Sequence, residues 1–379
     1  MITGDLDRTL ATAISSAGTW RPAPPGTAGA PRTYATTVAF RLADDANGPA
    51  DVAARLADRL RRLDWVETAA VTGGGYLVVT VAAGALARLA VRITQAGPGC
   101  ARSSALAGAS LAAPAAADLA SAPVWEEARR RVHATVAGRL AEAAGAHVSW
   151  QHDAERITAP DPAAPVTAGP VMADLELAAS VTADLVTAGP TAGGSGPAVG
   201  PVAEAVAYAG ADAIRYALAR LPPGGPARVD ARLAAAHHPG NPAYAVRYAH
   251  AHAASALRQA GDLGLDRGEA AGFQPRLLAH PSEQALLYEL SWLPERVTGA
   301  ARRGRPDVLA RYLEGLARAY FDGHEACPAV WPGMTAPGAS PGGRAAAPTA
   351  AARLWLAAAS RTALLTGLGL LGVSAPDRL

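Results

Sequence analysis

The sequence predicts a multidomain, mainly α-helical protein in three parts. An N-terminal α+β module covers residues 1–83, an irregular middle region covers 84–209 and a helical bundle covers 210–379. Alanine-rich text interrupted by arginine and leucine favours helices, and aromatic residues make up only 5% of the chain. The 30 prolines and 39 glycines concentrate in a few tracts, which indicates long loops between compact parts. A chain of 379 residues can bury two or three separate cores.

The charge pattern limits how this chain could bind nucleic acid. The formal net charge is +2, and all 34 basic residues are arginine because the sequence contains no lysine. A uniformly positive body is therefore excluded, and any RNA contact needs arginines gathered on one face. The runs Arg129–Arg131 and Arg302–Arg305 could form such patches, or could be ordinary solvated faces. No DNA partner is expected.

The cysteines and apolar segments indicate a cytoplasmic location. Cys100 and Cys327 lie far apart in sequence and define neither a disulfide framework nor a zinc site. The first residues contain acids and no apolar core, so we expect no secretory signal there. The apolar run Leu354–Val373 repeats its leucines at three- and four-residue steps, which predicts an amphipathic core helix and no membrane contact.

The N-terminal module combines a helix with a hairpin. PADVAARLADRLRRL places Val52, Leu56, Leu60 and Leu63 on one helical face. VETAAVT and YLVVTV read as two strands around the turn at 73–75. The glycine triplet is interpreted as a hairpin turn, because a phosphate-binding GxxxxGK[ST] loop needs a lysine.

The middle region holds one clear helix among loops. Tracts rich in alanine, glycine, proline and serine at 96–123, 158–170 and 187–201 predict loops or disorder. VWEEARRRVHATVAGRLAEAAG predicts a helix whose apolar stripe is Val132, Val136 and Leu140, with a glycine cap after it. The segment AHVSW that follows could be a buried strand.

The C-terminal region is helical almost throughout, with a Pro/Gly-rich break at Trp331–Thr349. Tyr244 and Tyr248 are four residues apart and share one helical face. His250 and His252 are two apart and do not converge on a metal, so no metal site is expected. A tyrosine or tryptophan at such spacing could equally be a core residue.

Several ordered blocks carry a family resemblance. These are GADAIRYALAR, NPAYAVRYAHAHAASALR, LARAYFDGHEACPAV and the closing AARLWLAAASRTALLTGLGLLGVSAPDRL. Together they resemble the tail of the ligase domain and the DALR-type anticodon-binding bundle of arginyl-tRNA synthetases. TYATTVAFRLA with GGGYLVVTV is similar to the N-terminal domain of that family. The resemblance makes 84–209 a degenerate, partly disordered remnant of the Rossmann-like catalytic domain.

The resemblance also implies which residues touch RNA. In the family, the first bundle helix presents aromatic and basic groups to the anticodon loop, where unpaired bases stack on aromatic rings. The aromatic of the D-loop contact corresponds to Tyr76, while the amide that follows it in the family is replaced by Val78. The family's Arg is replaced by His252. The expected RNA-binding residues are Tyr76, Tyr244, Arg247, Tyr248, His250, Arg258, Tyr320, Trp355, Arg361 and Leu379.

The catalytic signatures of the family are missing. The chain has no His-x-Gly-His, and the corresponding slot reads Trp125, Glu126, Glu127 and Ala128. Carboxylates beside ATP phosphates would repel them. The loop for the lysine-bearing signature would fall near 191–197, where no basic residue occurs. We therefore expect no catalytic residues and a pseudoenzyme.

The resulting hypothesis is a non-catalytic arginyl-tRNA synthetase paralogue that binds tRNA, of the arginine type, or a tRNA-like RNA. Two alternatives stay open. One is a divergent arginine–tRNA ligase, a class I aminoacyl-tRNA synthetase, and only this alternative requires ATP and arginine. The other is a protein-interaction scaffold without RNA binding. No cofactor is expected otherwise.

Overall fold

The structure is a computed structural model that describes residues 20–22, 32–44, 47–116, 118–151, 201–330 and 348–379. Its strands are β1 Trp20–Pro22, β2 Thr33–Thr36, β3 Val66–Thr72, β4 Tyr76–Val81, β5 Ser110–Pro114 and β6 His147–Gln151. Its helices are α1 Val38–Leu42, α2 Pro49–Leu60, α3 Ala83–Ala87, α4 Leu89–Ala96, α5 Trp125–Ala143, α6 Pro201–Ala209, α7 Ala211–Arg220, α8 Ala231–Ala235, α9 Pro242–Asp262, α10 Pro281–Ser291, α11 Leu293–Arg302, α12 Pro306–Ala326 and α13 Pro348–Leu371.

The described chain divides into two compact units. Unit 1 comprises Met1–Cys100, Ala253–Glu295 and Arg318–Thr362, and unit 2 comprises Ala101–His252, Arg296–Ala317 and Ala363–Leu379. The predicted mainly helical fold with small sheets is confirmed. The predicted domain boundaries after residues 83 and 209 stay a prediction. The predicted loops at 158–170 and around 191–197 lie outside the described residues.

Unit 1 contains a four-stranded antiparallel sheet in the order β1-β2-β4-β3. The predicted hairpin of β3 and β4 is confirmed, with Thr72 paired to Tyr76 across the glycine turn. The predicted α2 stripe buries Val52, Leu56 and Leu60. Leu63 is only half-buried because the helix ends at Leu60, so its inclusion in that helical stripe was wrong.

The sheet of unit 1 packs on α10 through an aromatic cluster. Tyr34 of β2 is fully buried, and its ring centroid lies 5.3 Å from that of Tyr288 and 5.1 Å from that of Trp292. The Tyr34 hydroxyl hydrogen-bonds to Ser291 Oγ at 2.7 Å. The Tyr288 hydroxyl donates to the Thr33 carbonyl at 2.9 Å. Burial raises the pKa of Tyr34, so the hydroxyl stays protonated within the core.

Unit 2 contains a β–α–β element made of β5, α5 and β6. The two strands pair in parallel, with Ser110 opposite His147 and Pro114 opposite Gln151. The predicted α5 stripe of Val132, Val136 and Leu140 is buried as expected. Parallel strands joined through a helix are the unit from which Rossmann-like sheets are built.

Two expectations for this element were wrong. The tract 96–123 was predicted as loop or disorder, yet β5 lies within it because Leu111 and Ala113 alternate inward. The β6 segment was predicted as a buried strand, but its side chains are exposed or half-buried. Helix α5 covers one face of this two-stranded sheet and leaves the other face exposed. The alternation of buried and exposed residues was not visible in the sequence because most of the residues concerned are alanines.

Polar contacts join α7 to the part of α12 that belongs to unit 2. The Tyr216 hydroxyl donates to the Ala310 carbonyl at 3.0 Å. Arg220 forms two hydrogen bonds to the Glu314 carboxylate, at 2.7 Å and 3.2 Å, and these raise the pKa of Arg220. A bidentate pair of this kind fixes helix orientation as well as contributing energy.

The long helix α13 has the length and apolar composition of a membrane span, and 72% of its most apolar window is buried inside the protein. That burial is typical of a core helix. The amphipathic pattern predicted from the leucines agrees with it, since Leu354, Leu364, Leu368 and Leu371 are buried while Leu365 is 36% exposed.

We predict that stability falls in mild acid. Burial holds the pKa of His133 and of His324 below the ordinary value of 6.5. The unfolded chain then binds protons where the folded chain does not, so this stability is complete above pH 6.5 and is lost as pH falls toward the depressed folded values. Urea unfolding at several pH values should show the loss. His133→Gln should reduce the pH dependence, and an unchanged dependence would contradict this assignment.

Candidate nucleic-acid interface

A row of aromatic rings follows one face of α9 in unit 2. Tyr244 and Tyr248 stack with ring centroids 5.5 Å apart and an interplanar angle of 8°. His237 stacks on the other side of Tyr244 at 5.5 Å and 16°, and His252 meets the Tyr248 ring edge-on at 6.1 Å. We call these four side chains the aromatic row. Their order follows from helical spacing, because residues four apart lie one above the other.

The aromatic row is accessible from outside the protein. Tyr248 is 40% exposed, Tyr244 is half-buried and His237 is exposed. Packing between neighbouring rings restricts their rotation, so little conformational entropy remains to be lost when a further ring is added. An exposed, pre-ordered set of π-faces is the arrangement on which unpaired bases stack. The predicted shared face of Tyr244 and Tyr248 is confirmed.

The start of α9 is held by a buried asparagine. Asn241 is 4% exposed, and its Oδ1 accepts from the Ala243 N–H at 3.1 Å. Its side-chain amide donates to the carbonyls of Ala234 and Ala236 at 2.8 Å and 2.9 Å. The residue therefore caps the helix and ties it to α8. This explains why an Asn-Pro pair opens the segment that carries the row.

The chain after α13 is pinned beside the row. The Ser374 N–H and hydroxyl both bond to the Asp212 carboxylate, with the N–H at 3.1 Å. Arg247 donates through Nε to the Ser374 carbonyl at 3.2 Å. His250 is fully buried, and its Nδ1 donates to the Pro376 carbonyl at 3.0 Å. Arg247 and His250 therefore position this terminal segment on α9.

We predict that Asp212→Ala releases the terminal segment. Two hydrogen bonds from Ser374 to a charged acceptor are lost, and such bonds contribute about 1.5–3 kcal/mol each net of water. Backbone amides of 373–377 should then exchange with solvent at least about tenfold faster. Hydrogen-exchange mass spectrometry measures this directly. Asp262→Ala, an exposed aspartate at the end of α9, is the matched control. Equal exchange in both variants would contradict the assigned anchor.

Three predicted RNA contacts were wrong because the structure buries the side chains. His250 is 0% exposed, Tyr320 is 2% exposed and Trp355 is 5% exposed, so none has a face on which a base could stack. Tyr320 stacks with His324, and Trp355 donates from Nε1 to the Arg267 carbonyl at 2.8 Å. Both belong to the core of unit 1, the alternative that helical spacing had left open.

The other predicted contacts remain accessible. In unit 1, Tyr76 is 44% exposed, and its ring meets that of Phe40 edge-on with the centroids 5.2 Å apart. Tyr76 is therefore not a core residue of its strand, which was the alternative left open by the sequence. Val78 is 9% exposed and offers no polar group to a base. Arg258 and Arg361 of the same unit are half-buried. In unit 2, Leu379 is 53% exposed.

Residues 125–128, which correspond to the missing His-x-Gly-His signature, lie at the start of α5 and form hydrogen bonds with neighbouring segments. Glu126 accepts from the Ala227 N–H at 2.9 Å and from Arg129 at 2.7 Å. Arg129 also donates to the Gly225 carbonyl at 2.6 Å. Two acidic side chains in the first turn interact favourably with the positive end of the helix dipole. At other helix N-termini, that positive end can bind a phosphate.

The second acid of the slot is engaged as well. Glu127 pairs with Arg130 and, at 2.8 Å, with Arg131. Arg131 reaches on to the Asp118 carbonyl at 2.9 Å and to Ser121 Oγ at 2.7 Å. Ala128 is fully buried and Trp125 is half-buried. Arg129 and Arg131 thus bind this turn to its surroundings, and all three arginines pair with its two carboxylates.

Sequence reasoning missed several residues that build the interface. Asp212 and Asn241 position it, and His237 and His252 extend the aromatic row. The four-residue step from Tyr248 to His252 was a usable signal. The contact of Asp212 with Ser374 joins residues 162 positions apart, so no local pattern predicts it. His237 lies before the start of α9, so helical spacing does not place it beside Tyr244.

Comparison with known proteins gives a family match that begins within the aromatic row. Residues 246–379 match the DALR anticodon binding domain family. The arginine–tRNA ligase of Micrococcus luteus is 41% identical over 174 residues, which is 46% of this chain and 30% of that protein. The ligase of Paenarthrobacter aurescens is 37% identical over 174 residues, again 46% of this chain and 30% of that protein. The matched part therefore spans less than a third of the length of these relatives.

The fold agrees with this relationship. The solved structure of Thermus thermophilus arginyl-tRNA synthetase superposes with a TM-score of 0.60 at 16% identity, covering 100% of both chains. Identity that low establishes a shared fold and nothing finer. Residues 246–379 match the DALR anticodon binding domain, a stretch of 174 residues is similar to arginine–tRNA ligases, and the fold is that of an arginyl-tRNA synthetase.

Proposed function

We propose that this protein is a cytoplasmic, non-catalytic relative of arginyl-tRNA synthetases that binds tRNA, of the arginine type, through its anticodon arm. The observation that carries the proposal is the aromatic row on α9, which begins just before the matched domain and continues into it. The similar proteins are arginine–tRNA ligases, which supports tRNA as the RNA class.

The chemistry of the row suits an unpaired loop. Bases splayed from an RNA loop stack on aromatic rings, and such stacking favours no single base. Arg247 and His250 hold the segment after α13 on α9, and the exposed Leu379, three residues beyond Pro376, offers an apolar side chain to a ligand. Specificity would then come from the polar groups bordering the row, with His252 among them.

The start of α5 supports the absence of catalysis. Catalysis of adenylate formation needs groups that stabilise developing negative charge on phosphates. Glu126 and Glu127 place two carboxylates there and hold their arginines in ion pairs. Among the described residues, that turn offers no histidine and no unpaired cation to a phosphate. The loop expected to hold the second signature lies outside the described residues.

Filter binding of total tRNA across a salt series tests RNA binding. We expect saturable binding at low salt whose logarithm of affinity falls linearly with the logarithm of salt concentration, by about 0.7 per phosphate neutralised on a single strand. Absence of binding even at low salt would overturn the proposal and favour the protein-interaction scaffold.

The alternative function is arginine–tRNA ligase activity through a divergent site, favoured by the names of the relatives. Arginine-dependent exchange of pyrophosphate into ATP decides between the two. We expect no exchange above a heat-denatured control. Clear exchange would overturn the non-catalytic part of the proposal and leave the RNA-binding part standing.

A further inference from the structure

A small cavity in unit 2 is lined by two arginines and an orphaned hydroxyl. Its volume is about 130 Å³, and α5, α7 and the end of α13 form its walls. Thr135 and Arg139 come from α5, Arg215 comes from α7 and Gly372 follows α13. One water occupies about 30 Å³ in the liquid, so the cavity holds a group of several heavy atoms.

Arg139 and Arg215 line the same cavity, and the charge of each acts on the other. Arg215 donates through Nη1 to Asp212 at 3.0 Å and to the Gly372 carbonyl at 2.9 Å. Burial, and then the charge of Arg215, lower the pKa of Arg139. Two positive charges lining one partly buried cavity repel each other, and an anion bound between them would offset that repulsion.

The third polar group is the hydroxyl of Thr135. This residue is 3% exposed, and its Oγ1 has no hydrogen-bond partner within the described part of the chain. A threonine inside a helix usually bonds to the carbonyl four residues earlier, which this one does not do. A buried, unsatisfied hydroxyl is costly, so an acceptor in the cavity would stabilise it.

Gly372 forms part of the cavity wall, and its backbone can approach the two arginines because it has no side chain. Its φ is 74°, a conformation that favours glycine. A Cβ placed there would overlap the Arg139 guanidinium and lie 3.2 Å from Arg215 Cδ. The backbone therefore approaches both arginines closely, and Arg139 is held in position against it.

We propose that this cavity binds a phosphate-class oxyanion, with Arg139 and Arg215 pairing to its oxygens and Thr135 donating a hydrogen bond. A guanidinium group can donate two parallel hydrogen bonds to two oxygens of a phosphate. A hydroxyl group can donate a further hydrogen bond from another direction. The anion could be free phosphate or a phosphate group of RNA; the recognition chemistry is the same. Thr135 and Arg139 lie about two and three turns along α5 from the Glu126–Glu127 turn, so the cavity is separate from that turn.

Thermal unfolding of the full chain with inorganic phosphate tests the site. At constant ionic strength, phosphate in place of chloride should raise the melting temperature of the wild type in a saturable way. Arg139→Gln should weaken phosphate binding at least about tenfold, and Thr135→Val about threefold or more. Arg55→Gln, which removes one exposed arginine charge, should respond like the wild type.

A second readout separates binding from a structural role. Without phosphate, Arg139→Gln should melt at the same temperature as the wild type or higher, because a repelled charge is removed. A lower melting temperature without phosphate, together with an unchanged phosphate response, would overturn the proposal. So would a wild type that shows no saturable response to phosphate.

Competition identifies the source of the anion. If RNA supplies it, phosphate weakens tRNA binding by the wild type and leaves binding by Arg139→Gln unchanged. If free phosphate is the ligand, added phosphate at constant ionic strength leaves the tRNA affinity unchanged but still raises the melting temperature. The thermal response needs no RNA, so the anion site can succeed or fail independently of the proposed function.

Discussion

Replacing Tyr248 with alanine is expected to weaken tRNA binding about 5- to 150-fold. The estimate follows from about 1–3 kcal/mol per base stacked on an aromatic side chain. Tyr248 is the most exposed tyrosine of the aromatic row and touches Tyr244 on one side and His252 on the other. Its removal therefore takes away a stacking face and breaks the row in the middle. Filter binding at fixed low salt measures the loss.

Two companion variants make this result specific. Tyr208→Ala removes a tyrosine that is 65% exposed on α6 of the same unit, and its tRNA affinity should stay within about twofold of the wild type. Tyr248→Phe keeps the ring and should retain most of the affinity. Equal losses in Tyr248→Ala and Tyr208→Ala, or no loss in either, would show that the row is not the binding surface.

Gly138→Ala is expected to lower the free energy of unfolding by about 1–3 kcal/mol. A Cβ at this position on α5 would lie 2.5 Å from Ala113 Cβ and 2.9 Å from Trp150 Cη2, so the helix would have to move away from both strands. Alanine normally stabilises a helix relative to glycine, and here the clash outweighs that gain. Chemical denaturation monitored by circular dichroism measures the change.

Gly315→Ala is the matched control for this prediction. Gly315 is exposed on α12, and a Cβ there meets nothing within 4 Å. The same substitution should therefore raise the free energy of unfolding by about 0.5–1 kcal/mol. Effects of the same sign at the two glycines would contradict the close packing of α5 against the parallel strands.

The sequence predicts those elements whose pattern is local. The α2 and α5 stripes and the β3–β4 hairpin follow from side-chain periods and a glycine turn. Strand β5 was missed because alternation among alanines carries little contrast in hydrophobicity. Parallel pairing between β5 and β6 spans the whole of α5, so no short window of sequence contains it.

The candidate site divides in the same way. Tyr244 and Tyr248 could be placed together because helical spacing alone brings them into contact. Spacing does not reveal which way a helix face points, so it could not separate Tyr248, which is exposed, from Tyr320, which is buried. His250 looked like a ligand contact because it is polar, whereas its partner is a carbonyl 126 residues away. Long-range contacts decide exposure, and exposure decides which aromatic rings RNA can reach.

Nucleotide-resolution footprinting of a bound tRNA tests whether the aromatic row binds the anticodon loop. We predict that the wild-type protein protects the anticodon loop, and that Tyr248→Ala removes this protection at protein concentrations where the wild type saturates. Protection confined to other parts of the tRNA, or anticodon-loop protection that persists unchanged in the variant, would contradict it.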